Sequence, residues 1–303
     1  MTTANLIDLA SLPLPDVLEL LDFETIYAQR KAALVSLWPA DEQAEIAETV
    51  ELESEPLARL LQENSYRELV WRQRVNDAVR AIMLAFAKGN DLAQRAALFG
   101  LQRLIVTPAD DANNITEVDE DDDDLRLRVQ LAPQGFSVAG PAAAYESKAL
   151  AVDGRLLDAT ATRPQPGDVL VTLLARDGDG TVDADLCAAV AEALSAEDQR
   201  PMNDTVDVAS AEIVRYRIYA KCYTRSAVGA DVLLAQAKLN AQAYAAKLRR
   251  LGVGVAESAI KGVCQAAGLT KTELIEPAGD IAIGATQASY CTEIVIEYGG
   301  IYV

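Results

Sequence analysis

Residues 164–204 of the chain read PQPGDVLVTLLARDGDGTVDADLCAAVAEALSAEDQRPMND, and their order of turns and apolar runs decides the fold class. The Pro-Gly opening predicts an extended lead-in to an apolar strand over residues 168–176. The run DGDG predicts a tight turn, and Asp183 is placed to cap an amphipathic helix over residues 183–194. An Arg-Pro pair then predicts a second turn. Strands and helices that alternate in this way indicate a mixed α+β layer.

The composition limits the partners that the chain can take. Its 303 residues are enough for two or three domains with a buried core. Lys and Arg total 27 against 46 Asp and Glu, which gives a net charge of −19. Such a surface repels phosphate groups, so we expect neither nucleic acid nor an anionic membrane as a partner. The first residues lack a basic segment, and the apolar runs are shorter than the roughly 20 residues of a membrane span. We therefore expect no signal peptide and no membrane helix.

The chain contains no histidine, and its four cysteines lie far apart without a CxxC pair. This excludes Ser-His-Asp and Cys-His catalysis and every His-based metal site. Each cysteine is predicted to be a small buried residue of a protein kept reduced. No phosphate-binding loop, dinucleotide fingerprint or GxSxG elbow occurs. We therefore expect no catalytic residues, no metal ligands and no cofactor.

Two helices are predicted before residue 90. The first is expected to begin at Asp16 and to end near residue 37. The second is expected to begin at Ser54 and stop at Gly89, a rod of roughly 35 residues and about 50 Å. Its apolar residues follow i, i+3, i+4, i+7 spacing. The predicted partner interface on this rod consists of Leu57, Leu60, Leu61, Trp71, Val75, Val79, Ile82 and Phe86.

An apolar stripe of this kind usually packs against the core of its own chain. Here the first helix is too short to cover the whole rod. A bundle with helices of other chains is therefore favoured, and an intramolecular core is the alternative. A short third helix is predicted over residues 91–99.

The middle of the chain carries signals for more than one kind of structure. Residues 108–117 are polar and rich in Asn and Asp, which predicts a linker. The acidic tract over residues 119–124 is typical of a solvated surface. The next residues, 125–131 (LRLRVQL), alternate with period two and read as a strand. The acidic residues before them favour a helix start instead, because they complement the helix dipole.

Helices and strands alternate from residue 142 onward. Helices are predicted over residues 142–151, 230–251 and 257–267. Strands are predicted over residues 155–162, 206–224, 272–275 and 292–298, the last two as a closing pair. Within the long strand, alternation places Arg215, Arg217, Tyr219 and Lys221 on one half-exposed face. A nucleic-acid platform is the less favoured interpretation of that face.

Residues 177–185, DGDGTVDAD, are similar to a calcium loop at first sight. An EF-hand needs Gly at its sixth position and Glu at its twelfth, where this loop has Val182 and Ala188. A strand-to-helix turn is favoured, with Gly at positive φ and Asp183 as the N-cap. A calcium-binding or other interaction module is kept as an alternative. A carboxylate-dependent hydrolase is less favoured, because no pair of acids is placed for it.

Several sequence blocks, in this order, resemble the baseplate J family of contractile-tailed phages and phage-tail-like particles. Each block alone is weak, but their collinear order covers nearly the whole chain. The blocks are Leu12 to Asp16, Asp22 to Glu24, Glu51 to Leu57, Tyr66 to Leu69, Arg72 to Ala78, Asp91-Leu92, Ala96 to Gly100, AGPAAAY before residue 146, PQPGDVLV, the Gly-Asp-Gly turn, Arg200-Pro201 with Asp204, and Gly299-Gly300. One departure is Ala143-Ala144, in a segment that is often richer in Gly and aromatic residues.

The resemblance implies a structural wedge subunit and no enzyme. Such a subunit is expected to dimerise, to bundle its N-terminal helices with baseplate protein I, to contact the sheath-initiator baseplate protein W, and to form a ring around the tail hub. It is expected in the baseplate of a virion or tail-like particle, after assembly in the bacterial cytoplasm. The resemblance also favours a helix over residues 125–131.

The predicted fold class is α+β, with an N-terminal long-helix region followed by two small mixed α/β domains. The predicted boundaries place the helical region at residues 1–107. The central domain follows over residues 108–228 and the C-terminal domain over residues 229–303.

Overall fold

The computed structural model describes residues 7, 9–137, 140–196, 200–201 and 203–302. The chain divides into two compact units, one over residues 7–98 and one from residue 99 onward. The first is helical and the second mixes helices with strands, so the secondary structure is that of the predicted α+β class.

The N-terminal unit contains four helices after a 3₁₀ turn at Leu9–Ser11. They are α1 (Phe23–Ser36), α2 (Gln43–Thr49), α3 (Pro56–Ile82) and α4 (Gly89–Ala97). Pro56 occupies the first turn of α3, where its missing N–H costs no hydrogen bond. Helices α1 and α3 pack against each other.

The predicted start of the first helix at Asp16 is wrong. Asp22 caps α1, because its carboxylate accepts hydrogen bonds from the backbone N–H of Thr25 at 2.9 Å and from its hydroxyl at 2.6 Å. The preceding segment forms a turn at residues 15–18 and then stays non-helical, and Asn76 holds the backbone of Glu19 within it. The Asn76 amide donates to the Glu19 carbonyl at 2.9 Å and accepts from its N–H at 3.2 Å. A side chain 57 positions away therefore overrides the local apolar pattern.

The rod is shorter than predicted. Helix α3 has 27 residues, about 40 Å at 1.5 Å per residue, and it ends at Ile82 instead of continuing to Gly89. Met83 adopts an extended backbone conformation (ψ 128°), and Ala87 in the following turn is fully buried. No Pro or Gly lies at this point, so the helix ends because of tertiary packing and not because of a local sequence signal. Helix α2 was not predicted at all.

The mixed unit begins with a short antiparallel pair, β1 (Ile105–Thr107) and β2 (Val118–Asp119). The predicted linker over residues 108–117 is thus the connection of a hairpin, closed by a bridge between Asp110 and Ile115. Helix α5 (Asp122–Gly135) follows, which confirms the helix over residues 125–131. Asp121 caps it by accepting from the N–H of Asp124 at 2.8 Å.

A three-stranded sheet forms the next layer. Helix α6 (Ala142–Leu150), strands β3 (Leu156–Thr162) and β4 (Asp168–Ala175), and helix α7 (Ala184–Ser195) follow the predicted pattern. Strand β3 is antiparallel to β4, and β4 is parallel to β5 (Thr205–Ser210). Their core is aliphatic except for Tyr145 and includes Leu131, Leu173, Val190 and Leu194.

A second three-stranded sheet completes the chain. It contains β6 (Glu212–Thr224), β7 (Lys271–Glu276) and β8 (Gln287–Ile301) in the order β7-β6-β8. Helices α8 (Ala230–Leu248) and α9 (Glu257–Gln265) pack on one face of it, against the core residues Ile218, Ala220 and Cys222. The prediction of a helix to residue 251 is three residues too long.

Two strand predictions are wrong. The long strand over residues 206–224 is divided at Ala211 into β5 and β6, which belong to different sheets. The closing pair does not form either. Strand β6 lies between β7 and β8, antiparallel to the first and parallel to the second. A period-two pattern indicates which face of a strand is buried, but it does not determine which strand pairs with it.

Polar contacts join the two sheets. The carboxylate of Asp158 on β3 is buried and accepts a hydrogen bond from the N–H of Leu251 at 2.9 Å. Arg250 donates to the Leu157 carbonyl and, at 3.3 Å, to the Asp124 carboxylate. Since β6 precedes residue 228 and its sheet partners follow it, the second sheet draws on both sides of the predicted boundary. The three-domain division stays a prediction.

Candidate functional site

Helix α3 turns a polar and small-residue face toward its own unit. The buried residues of the helix are Ala58, Ser65 and Asn76. Ser65 donates to the Leu61 carbonyl at 2.7 Å, and Asn76 bonds the backbone of Glu19. The small side chains of Ala58 and Ser65 let α1 approach α3 closely, and the buried Asn76 amide has hydrogen-bond partners. The intramolecular contact therefore uses few large apolar groups.

The predicted apolar stripe lies on another face of α3 and is largely exposed. The exposed fraction is 37% for Leu57, 56% for Leu60, 63% for Trp71, 57% for Val75 and 59% for Ile82. These positions share one side of the helix at the observed 3.6-residue repeat. We call this set the α3 surface.

The other three predicted interface residues lie differently. Leu61 and Val79 are half-buried, at the border between the α3 surface and the face that contacts α1. Phe86 is half-buried beyond the end of the helix, in the turn that follows Met83. It therefore does not continue the helical stripe.

Sequence reasoning missed a second group of exposed apolar residues in the same unit. Leu20 is 98% exposed and Leu37 is 82% exposed. Leu20 lies where the first helix was expected and where the chain is not helical. Further members of this group are Leu12, Leu14, Val17, Trp38 and Leu52. Only their apolar composition could have indicated these residues, because turns and connections have no helical periodicity.

The N-terminal unit buries little of its apolar content. Among its described residues, only Ile26, Val50 and Leu92 are buried apolar side chains larger than Ala. A unit of this size needs a substantial core to be stable alone. Exposed apolar patches of this kind mark interaction sites.

Charge pairs fix α1 on α3 without closing the apolar surface. Arg72 and Arg30 both donate to the Glu68 carboxylate, Arg72 through Nε at 3.0 Å. These hydrogen bonds, led by those from Arg72, lower the pKa of Glu68. Arg72 also reaches Glu19 at 2.9 Å. The same residues thus hold the segment before α1 and helix α3 together.

Comparison with known proteins supplies the context for this surface. The sequence profile of the Baseplate J-like N-terminal domain matches residues 53–110, and that of the Baseplate J-like central domain matches residues 137–210. The chain is 46% identical over 297 residues to the protein named Baseplate protein J of Escherichia phage P2, which covers 97% of this chain and 98% of that relative. The chain belongs to the baseplate J family.

The family's N-terminal domain profile covers the α3 surface. It begins just before Pro56 and extends through α4 to the start of the mixed unit. The central profile covers α6, β3, β4, α7 and β5, which is the first sheet with its helices. The resemblance stated from sequence blocks is thus confirmed.

The acidic turn of this baseplate J family member is occupied by its own hydrogen bonds. Asp183 caps α7 by accepting from the N–H of Leu186 at 2.8 Å. Asp179 accepts from the hydroxyl and the N–H of Thr181 and pairs with Arg215 at 2.6 Å. The Thr181 hydroxyl is the largest of the causes that lower the pKa of Asp179 to about 2. Gly178 and Gly180 adopt positive φ, as the turn interpretation requires.

The described residues contain no group of three or more Cys, Asp and Glu side chains arranged to hold a metal ion. The four cysteines are free thiols, and burial raises the pKa of Cys264 to about 11. A thiol with a raised pKa is a poor nucleophile at neutral pH. In the part of the chain that is described, no helix combines the length and apolar character that a membrane crossing requires.

Proposed function

We propose that the chain is a structural subunit of the baseplate of a contractile tail, and that the α3 surface joins it to neighbouring subunits. The exposure of Leu57, Leu60, Trp71, Val75 and Ile82 on one face of a 27-residue helix carries this proposal. Family membership supports the baseplate role, because the relative from Escherichia phage P2 is named as a baseplate protein.

The proposed contact is a helical bundle. Helix α3 lays its apolar face against a helix of a second copy and against helices of the adjacent baseplate protein I. Knobs such as Trp71 and Leu60 then fill holes between partner side chains. Trp at the centre of an apolar patch is the residue type that most often dominates an interface.

The mixed unit has a different role in the proposal. Its two sheets make smaller and more polar contacts, with the sheath-initiator baseplate protein W and with neighbouring wedges that close into a ring around the tail hub. Contacts of that kind can break and re-form when a tail contracts. The subunit accordingly assembles in the bacterial cytoplasm and ends in the particle's baseplate. It performs no catalysis.

Light scattering of the purified chain, alone and co-expressed with baseplate protein I of the same particle, tests the proposal. We expect a dimeric or aggregated lone chain and a complex with two copies of this chain in the co-expressed sample. A clean monomer in both samples would overturn the bundle.

The calcium alternative is tested separately. Calcium that bound the turn at Asp179 would raise the melting temperature relative to chelator. We expect equal melting temperatures, because the carboxylates there already accept hydrogen bonds from Thr181 and Leu186.

A further inference from the structure

A groove runs beside the second sheet, between one flank of helix α8 and the outer edge of strand β8. Its volume is about 700 Å³, within the range of sites that hold a ligand or a peptide segment. Lys238, Gln242 and Arg249 line the helix side, and residues 289–294 line the strand side.

The strand side of the groove is a free sheet edge. Strand β8 is 15 residues long and pairs with β6 along its length. On its other side Ala288 bridges Leu251 and the Gln287 carbonyl accepts from the N–H of Gly252 at 3.0 Å, so the free part of this edge begins after these residues. Among the described residues, no backbone hydrogen bond joins residues 290–301 to any strand other than β6. An exposed edge of this length is a template for an added strand.

A bulge shapes this edge where it borders the groove. The register with β6 shifts between Tyr216 and Arg217, which leaves Thr292 without a partner position. Its hydroxyl donates to the Tyr216 carbonyl at 3.0 Å. A bulge bends and twists the strand locally, so it re-aims the edge toward a partner.

The groove is positively charged in a chain whose net charge is −19. Lys238 is exposed and has no ion pair among the described residues. Arg249 donates only to neutral carbonyls, those of Ala175, Asp177 and Gly178 at 3.0–3.2 Å. Its guanidinium also lies over the Tyr290 ring, 5.6 Å from the ring centroid.

Nearby acids do not cancel this charge. Arg176 at the base of the groove shares the Asp124 carboxylate with Arg250, so two cations face one anion. Glu293 at the rim is paired with Arg217 at 3.1 Å. The whole segment 212–303 carries 10 Lys and Arg against 8 Asp and Glu, whereas residues 99–211 carry 8 against 22.

The chain itself offers an occupant of matching chemistry. Residues 116–119 (TEVD), which follow the closed turn at residues 110–115 and end in β2, are all exposed. They carry Glu117 and Asp119 together with the apolar Val118, which is 51% exposed. Among the described residues, β2 pairs with β1 only, so its other edge is free as well.

We propose that residues 116–119 of one copy add as a strand to β8 of a neighbouring copy, in the groove beside α8. The two free edges exchange backbone hydrogen bonds, and Lys238 and Arg249 face the acidic side chains. Two different surfaces of one chain meet in this contact, so it is heterologous and can close into a ring. The inference rests on the proposed ring and assigns it a contact.

A labelled synthetic peptide of residues 111–119, titrated onto the full chain at low salt, tests the contact. We expect binding that weakens as salt rises. Lys238→Glu in the full chain should weaken binding about tenfold. A peptide with Glu117→Lys and Asp119→Lys should restore binding to that variant. Lys247→Glu is the matched control, an exposed lysine of the same helix that does not line the groove.

Backbone methylation of the peptide separates strand addition from simple charge attraction. N-methyl groups on Glu117 and Asp119 block one edge of the strand, and those on Thr116 and Val118 block the other. One set should abolish binding, and the other should leave it unchanged.

No peptide binding, equal effects of Lys238→Glu and Lys247→Glu, or indifference to both methylation sets would each overturn the contact. The peptide experiment does not involve the α3 surface. The result of the peptide experiment can therefore be interpreted even if the proposed helical bundle does not form.

Discussion

At the residue scale, a buried ion pair ties the start of the mixed unit to helix α5. Arg128 and Glu120 have side chains that are 8% and 3% exposed, and their N–O distance is 2.6 Å. Burial raises the pKa of Glu120, against the attraction of Arg128. Glu120 also accepts from the N–H of Leu104 at 3.3 Å. Neither residue can be removed singly without leaving its partner unpaired in the interior.

We expect Glu120→Ala to lower the free energy of unfolding by about 3–5 kcal/mol, because it leaves the Arg128 charge buried without a counterion. The double replacement Glu120→Leu with Arg128→Met should cost less than the single one, since it removes both charges. Urea unfolding followed by circular dichroism measures both. Tryptophan fluorescence does not serve here, since Trp38 and Trp71 both belong to the N-terminal unit. A double variant less stable than Glu120→Ala would contradict the account.

The acidic turn makes a pH-dependent contribution. The pKa of Asp179 is about 2 in the folded chain, below its ordinary value of 3.8. A lowered folded-state pKa stabilises the fold above the unfolded value, and the contribution is lost as the pH falls from about 4 toward 2. We therefore expect Asp179→Asn to be less stable than the parent at pH 5. The gap should close near pH 2. Melting curves at both pH values check this, and a gap that widens on acidification would contradict it.

At the scale of elements, the clearest feature is the hydrogen bonding of α3 to the non-helical segment before α1. Asn76 makes two hydrogen bonds to the backbone of Glu19 and is 4% exposed. Its loss leaves both backbone groups of Glu19 without these partners.

Asn76→Ala should release this segment and destabilise the N-terminal unit by about 1–3 kcal/mol. Hydrogen exchange at residues 17–22 should become faster. Gln73→Ala is the matched control, because Gln73 is an exposed amide of the same helix that bonds only Asp77 within it. Equal protection of residues 17–22 from exchange in both variants would contradict this role of Asn76.

Local signals predicted the elements that depend on local chemistry. The cap at Asp183, the glycines at positive φ and the apolar run of β4 were all readable, as were the positions of α6 and α7. The stripe on α3 was readable for the same reason, because a helical period needs no partner to be visible.

The misassigned elements depend on distant contacts. The start of α1 depends on Asn76, and the end of α3 depends on the burial of Ala87. The division at Ala211 depends on which sheet each half joins. Helix α2 lacks a side-chain cap and has no buried residue, so it has no distinctive pattern. The groove beside α8 was not predictable. It depends on the strand order β7-β6-β8, which leaves β8 at an edge and which no single segment of the sequence determines.

At the scale of the whole molecule, apolar and charged surfaces are distributed unevenly. The N-terminal unit exposes apolar side chains that a stable monomer would bury. The mixed unit has well-packed cores, and its surface carries a positive groove and an acidic segment. One unit is thus suited to permanent association, and the other to contacts that are weaker and sensitive to salt.

The α3 surface is proposed to hold the assembly together, and a matched pair of variants on this helix distinguishes that role from a nonspecific effect of added charge. Trp71 and Tyr66 are aromatic, equally exposed at 63%, and on the same helix. Five residues separate them, which places them on faces about 140° apart. The measurement is the mass, by light scattering, of the complex formed by each variant co-expressed with baseplate protein I. We predict that Trp71→Glu reduces it to a dissociated chain and that Tyr66→Glu leaves the complex intact. A Trp71→Glu chain that assembles as fully as the parent would contradict the account.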